Sequence, residues 1–332
     1  MNFVKSLRKR AAEGAFIEDD EIRKAVELTN SSIELLSSSP DVTSLHTLTL
    51  ISQFLANVSV TPSAARTATW KAFHPTILLH LSLIQNIDIL DPLCYALWNF
   101  AKDEFYTPVE KGRVVFDNLV QFFGSDQGSQ KSTAFSLLLG YCLEHRHETH
   151  CTTPAMIKAI GKMDVDCVNS NAASQLQGEL LELARGQESH EVLSALRNCT
   201  LKSDSQLSLL KEIAEWSVMR LNGARGDDKG RDGLQTDLTA LLSNLIWDRV
   251  EIQNYVLDLN GLELVLNGIR LDESNQFLRE WSLLFVRGMC TDNDRAKDFI
   301  QRLELKEVAT DESLGMHIEY DKITGKFSVQ KN

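Results

Sequence analysis

Along most of the chain apolar positions recur every three to four residues. In LHTLTLISQFLANVSV (45–60), Leu45, Leu48, Ile51, Phe54, Leu55 and Val58 make one broad stripe, the spacing of a helix that buries a single face. SQLSLLKEIAEWSVMRL (205–221) and LQTDLTALLSNLIWD (234–248) carry the same period. Strand-type alternation is confined to the C-terminal end, where MHIEYDKITGKFSVQ (316–330) alternates on both sides of Asp321-Lys322-Ile323-Thr324-Gly325. That pattern predicts two short strands and a turn. A two-stranded ribbon is marginal alone, so it is expected to pack on the last repeat.

A short signature recurs within the helices: leucine, any residue, asparagine, apolar residue. It stands at Leu55-Ala56-Asn57-Val58, Leu97-Trp98-Asn99-Phe100 and Leu242-Ser243-Asn244-Leu245, with Asn57 and Asn99 42 positions apart. A second marker keeps step with it, because 18 or 19 residues after each asparagine another apolar helix is running: Pro75 in HPTILLHL, Asp117 in FDNLVQFF and Glu263 in GLELVLNGI. Extending the period reaches Gly140 in LLLGYCLEHR and Arg287 in LLFVRGMC, degenerate copies without the asparagine. Periods of about 40–47 residues, built from two or three helices, belong to armadillo and HEAT arrays, whose repeats bury their apolar faces against one another. An asparagine near the end of a third helix favours armadillo. The expected fold is all-α, an armadillo-like right-handed helical solenoid with a short C-terminal β-hairpin.

Four prolines follow a hydroxyl residue, at Ser39-Pro40, Thr61-Pro62, Thr107-Pro108 and Thr153-Pro154. This is the cap-plus-proline start of a helix, with proline-directed phosphorylation as the functional alternative. Between about 160 and 233 the register blurs. GARGDDKGRDG (223–233) reads as a hydrophilic loop inside a repeat and lacks the glycine-lysine spacing of a phosphate-binding loop. Its Arg225-Gly226-Asp227 resembles an adhesion tripeptide by chance. The division expected is helical repeats over 1–222, the polar loop over 223–233 and a C-terminal domain over 234–332.

Charge and composition narrow the function. Acidic residues outnumber basic ones, 46 against 34, for a net charge of −12, and no compact basic face offsets the repulsion from a phosphate backbone. Nucleic acid is therefore not an expected partner. No apolar run reaches the roughly 18 residues needed to cross a bilayer, so no membrane association is expected. Lys5, Arg8, Lys9 and Arg10 are followed at once by Glu18, Asp19, Asp20 and Glu21, which suits a solvated first helix better than a presequence. The 6 cysteines are scattered through a chain with 43% hydrophobic residues, so a reducing, cytoplasmic setting is expected.

The stretch DLTALLSNLIWDRVEIQNYVLDLNGLELVLNGIRLDESNQFLREWSLLFVRGMCTDND (237–294) resembles the C-terminal domain of the ataxin-10 family. The resemblance rests on Ser243-Asn244-Leu245 closing a helix, Gln253-Asn254 ahead of Asn260-Gly261-Leu262, and Asp272-Glu273-Ser274-Asn275 leading into Leu278-Arg279-Glu280-Trp281. The tail around Thr324-Gly325-Lys326 is similar to the family's ending. The resemblance implies that 234–332 is an ataxin-10-type domain. It further implies a non-enzymatic scaffold linked to cytokinesis and cell survival, acting through protein contacts and self-association. It transfers no catalytic residue, and the short N-terminal half and Arg287-Gly288 depart from the family.

Candidate contact residues follow from chemistry. An asparagine on a third helix offers one acceptor and two donors to an extended peptide, or else to backbone of its own repeat; Asn57, Asn99 and Asn244 are the candidates. Trp98 and Trp281 stand beside signature positions, and tryptophan is enriched at binding hot spots, while Trp70, Trp216 and Trp247 read as core. CLEHRHETHC (142–151) crowds Cys142, His145, His147, His150 and Cys151 into a potential copper or zinc ligand set, but structural zinc usually takes two ligand pairs across a loop. We read the cluster as an inter-repeat turn, with Cys142 in the core and the histidines exposed. A metal-handling protein and a cargo-binding armadillo adaptor remain the alternatives to the scaffold; no cofactor and no catalytic residue are expected.

Overall fold

The structure, a computed structural model, describes residues 2–38, 41–60, 64–102, 113–125, 132–145, 153–164, 167, 170–187, 189–200, 206–224, 232–267, 276–303, 316–321 and 326–331. The first helices are α1 (Asn2–Ala12), α2 (Asp19–Ser38), α3 (Val42–Val60), α4 (Ala64–Phe73), α5 (Thr76–Ser82) and α6 (Ile87–Lys102). There follow α7 (Arg113–Gly124), α8 (Thr133–His145), α9 (Pro154–Lys162), α10 (Ser170–Gly186), α11 (His190–Thr200) and α12 (Leu207–Gly223). The last are α13 (Asp232–Ile246), α14 (Val250–Asp258), α15 (Gly261–Leu266), α16 (Gln276–Cys290) and α17 (Asp294–Gln301). Two strands come after them, β1 (Met316–Asp321) and β2 (Lys326–Lys331), paired antiparallel with Ile318 opposite Val329 and Tyr320 opposite Phe327.

The helices form two layers. One passes from α1 to α3, α6, α8, α10 and α12, then to α14 and α15, each touching its predecessor. The other passes from α2 to α5, α7, α9, α11, α13 and α16. The layers meet where α2 packs on α3, α10 on α11, α12 on α13 and α15 on α16, and α17 closes against α14 and α16. Contacts thus run between near neighbours along the chain, and apolar burial is handed from one repeat to the next, as in a solenoid.

The periodic stripes become a continuous core reaching from Val4 to Ala296. Of the first stripe, Leu48, Ile51, Phe54, Leu55 and Val58 are buried and Leu45 is half-buried. Each such side chain contributes ~1.5–3 kcal/mol when fully removed from water. Phe73 on α4, Phe100 on α6 and Phe285 on α16 are among the core's largest fully buried side chains.

Local chemistry sets the helix starts. Thr153 accepts from the Met156 N–H at 3.3 Å with Pro154 at the first helical position, the start expected for α9. Ser39 and Pro40 lie outside the described residues, and the helix that follows them starts at an acidic cap. Asp41 caps α3, accepting from the backbone N–H of Thr43 at 3.2 Å and of Ser44 at 2.7 Å, so the helix begins two residues beyond Ser39-Pro40. A carboxylate placed against the unpaired amides of a first helical turn is a strong acceptor. Pro40, Thr61, Pro62, Thr107 and Pro108 lie outside the described residues, as does the centre of the 223–233 loop. In the blurred stretch the structure places α10, α11 and α12.

Gly261 shows a close approach that only glycine permits. A Cβ there would stand 2.6 Å from Val256 Cγ1 and 3.0 Å from the Val256 carbonyl oxygen, where α14 turns into α15. The turn is completed by Asn260 with φ of 60°, a left-handed conformation that asparagine tolerates better than most residues.

Candidate interaction surface

The signature asparagines pin one helix to the next. In α3, Asn57 donates through Nδ2 to the Arg8 carbonyl oxygen of α1 at 3.2 Å. In α6, Asn99 donates to Ser59 Oγ of α3 at 3.3 Å and to its own Tyr95 carbonyl at 3.1 Å, while Arg66 of α4 donates to the Asn99 carbonyl at 2.6 Å. In α13, Asn244 donates to the Arg197 carbonyl in the last turn of α11 at 3.1 Å. Arg197 is among the last four residues of α11, whose carbonyls lack intrahelical amide donors, and the Asn244 amide supplies one.

Asn57 and Asn99 belong to the first layer, Asn244 to the second. The three were expected at equivalent positions on third helices, and they are not: donation to the preceding helix works identically in either layer, so the local signature carries no information about which layer it occupies. The structure adds a fourth member. Leu196-Arg197-Asn198-Cys199 has the same order with cysteine in the apolar place, and Asn198 Nδ2 donates to the Ile160 and Met163 carbonyls at the end of α9, at 2.8 and 2.9 Å. Buried Cys199 is the clue, since free cysteine packs as a small hydrophobe.

Further bonds extend this seam. Ser243 donates to the Trp281 carbonyl of α16 at 3.3 Å. Arg249 donates to the Asn244 and Leu245 carbonyls at 3.0 and 3.1 Å and to the Thr200 carbonyl of α11 at 3.1 Å. Gln253, fully buried on α14, donates to the carbonyls of Ile246 and Gly288 at 3.1 and 3.0 Å. The ends of α11, α13 and α16 are therefore stitched by side chains whose donors are spent on backbone.

The tryptophans divide. Half-buried Trp98 stands 5.7 Å from Tyr95, centroid to centroid, and carries the Lys102 ammonium 3.3 Å above its ring centre. Half-buried Trp281 lies under the Arg197 guanidinium at 5.6 Å. A cation on a partly desolvated ring is held at ~0.5–2 kcal/mol, so each site presents an aromatic plane with a fixed positive charge. Trp70 and Trp216 are buried, as expected of core residues. Trp247 corrects the expectation: it is 53% exposed because it follows the last residue of α13, in a turn with Asp248 at φ 52°, beyond the reach of the next helix. The structure thus gathers Asn57, Trp98 and Asn99 on α3 and α6, and Asn244 and Trp281 on α13 and α16, as two separate sets.

Of CLEHRHETHC, Cys142 is buried within α8 and burial pushes its thiol up to about 12; His145 is the last residue of that helix. His147, His150 and Cys151 lie outside the described residues. Among the described residues no group of three or more His, Cys, Asp or Glu side chains is placed to hold a metal, and no helix is long and apolar enough to cross a membrane.

The match to a known family model falls on the helices from α13 onward. Residues 234–330 match a family model described as the spinocerebellar ataxia type 10 protein domain. An ataxin-10 homolog from Dictyostelium discoideum is 33% identical over 82 residues, covering 25% of this chain and 14% of the relative. Ataxin-10 of Xenopus tropicalis is 24% identical over 221 residues, covering 63% of this chain and 44% of that protein. The chain thus spans less than half the length of either relative. Among solved structures, an engineered protein shares a TM-score of 0.37 and 17% identity over 91% of this chain and 71% of that one.

Proposed function

Taking residues 234–330 as a domain of the ataxin-10 family, we propose that the chain is a non-enzymatic scaffold that holds other proteins on its helical surface. The observation that carries this reading is the seam from α11 through α13 to α16. Asn244 bonds to Arg197, Ser243 to Trp281 and Arg249 to Thr200, so the family-matched helices continue the repeats without a break. A rigid continuous array offers partners an extended surface at little cost in ordering.

Two contact sets are proposed, Asn57 with Trp98 and Asn99, and Asn244 with Trp281. The Nδ2 groups of the asparagines are engaged between helices, so the tryptophan rings and their attendant cations supply the recognition. Partners of this kind are proteins, a second copy of the chain among them. The finer fold belongs to the same proposal: a right-handed armadillo-like superhelix ending in a β-hairpin. So does the cellular role that the resemblance implies, in cytokinesis and cell survival, in the cytoplasm.

The test is affinity capture with mass spectrometry. Full chain, Trp98→Ala, Trp281→Ala and a chain ending at Gly233 are compared. Partners shared by family members should be lost with the last two variants. Retention of every partner by all three variants would overturn the reading.

A further inference from the structure

Helix α16 ends the second layer. It is covered by α13, by α15 and by α17, and the arc left over carries Phe277, Glu280, Leu283, Leu284 and Arg287, all exposed. Phe277 is 73% exposed, Leu283 44% and Leu284 43%. The end helix of a repeat array presents the face on which another repeat would sit, and such terminal faces are ordinarily polar. Three large apolar side chains on this arc call for a cover.

The chain holds a matching element close by. Strands β1 and β2 pair Ile318 with Val329 and Tyr320 with Phe327, and Met316 falls in the same alternation. Period-two geometry puts these apolar positions on one face of the ribbon and His317, Glu319, Ser328 and Gln330 on the other. Two strands alone are marginally stable and need a surface to pack on. Reach is sufficient: residues 302–315 join α17 to β1 and span up to about 46 Å when extended, whereas α16 is about 22 Å long.

We infer that the β1–β2 ribbon seats its apolar face on the exposed arc of α16 and closes this end of the array. Any apolar partner of the α16 arc must then displace the ribbon. The inference stands apart from the scaffold reading, since it concerns the chain's contact with itself.

The experiment places photoreactive benzoylphenylalanine at Phe277 in the full chain, irradiates dilute protein and maps the product by mass spectrometry. A product of single-chain mass with its crosslink within 316–331 is expected. Ile318→Asp with Val329→Asp in the ribbon, and separately Leu284→Asp on the helix, should each lower its yield severalfold while helical circular dichroism persists. A product of twice the chain mass would assign the arc to a second copy and overturn the inference. Crosslinks elsewhere in the chain, no crosslink, or yields unchanged in both variants would overturn it as well. A failed partner capture would leave this result unaffected.

Discussion

Replacing Asn198 by alanine removes a pin that the structure shows clearly. Its Nδ2 makes two bonds, to the Ile160 and Met163 carbonyls at 2.8 and 2.9 Å, and both acceptors sit at the end of α9. Each such bond contributes ~0.5–1.5 kcal/mol net, and an acceptor stranded away from water costs ~1–3 kcal/mol. Alanine returns up to about 0.7 kcal/mol through its higher helix propensity. The expected net loss is about 2 kcal/mol. Asn198→Asp separates this account from a surface role, because it keeps the size and shape of the side chain while turning a donor into a charged acceptor aimed at two carbonyls. It should cost more than alanine. Repeat arrays can unfold in stages, so urea denaturation is paired with amide exchange over 154–200. Loss of protection should centre on the α9–α11 contact. If both variants fall within about 0.5 kcal/mol of the parent with unchanged exchange, the pin contributes nothing and the reasoning fails.

Gly261→Ala puts a Cβ 2.6 Å from Val256 Cγ1 and 3.0 Å from a backbone carbonyl, so thermal melting should show a loss of about 1–3 kcal/mol, and an unchanged melt would contradict the close approach. The Ser44 hydroxyl and amide, then the Thr43 amide, hold the Asp41 carboxyl below its ordinary value. A depressed folded-state value means stability that is present above the unfolded pKa and lost as pH falls through the folded one. Asp41→Ala should therefore lower the melting temperature most at neutral pH and least once the carboxylate is protonated; a pH-independent difference would refute the role of its charge in the cap. Maleimide labelling of the native protein, read peptide by peptide, should modify the partly exposed Cys167 and Cys290 well before the buried Cys94, Cys142 and Cys199, and equal rates would show that the core opens freely.

Much of the fold could be read from residue order. The period of three to four in 45–60 located α3 and its buried stripe, and Thr153-Pro154 located the start of α9, because both rest on interactions within a few residues. The 42-residue spacing of Asn57 and Asn99 identified neighbouring helices of one layer. Reading failed at Asn198, where cysteine filled an apolar place, and at Asn244, which shares the signature but lies in the other layer. It failed again at Trp247, apolar and adjacent to a helix, yet left in solvent by the turn that follows.

The sequence by itself determined that the chain is mostly helical, that its helices recur at about 42 residues, and that 234–330 resembles the ataxin-10 domain, since each follows from local periodicity or from residue order over a contiguous stretch. Tertiary structure alone decided the layer of each helix, the partners of the asparagine amides and the exposed arc of α16. These depend on which helix arrives at a given face, and the arriving groups are backbone carbonyls and packed surfaces that residues 35 to 49 positions away supply. A side chain's donors are written in its own residue; what accepts from them is set by the packing of its neighbours.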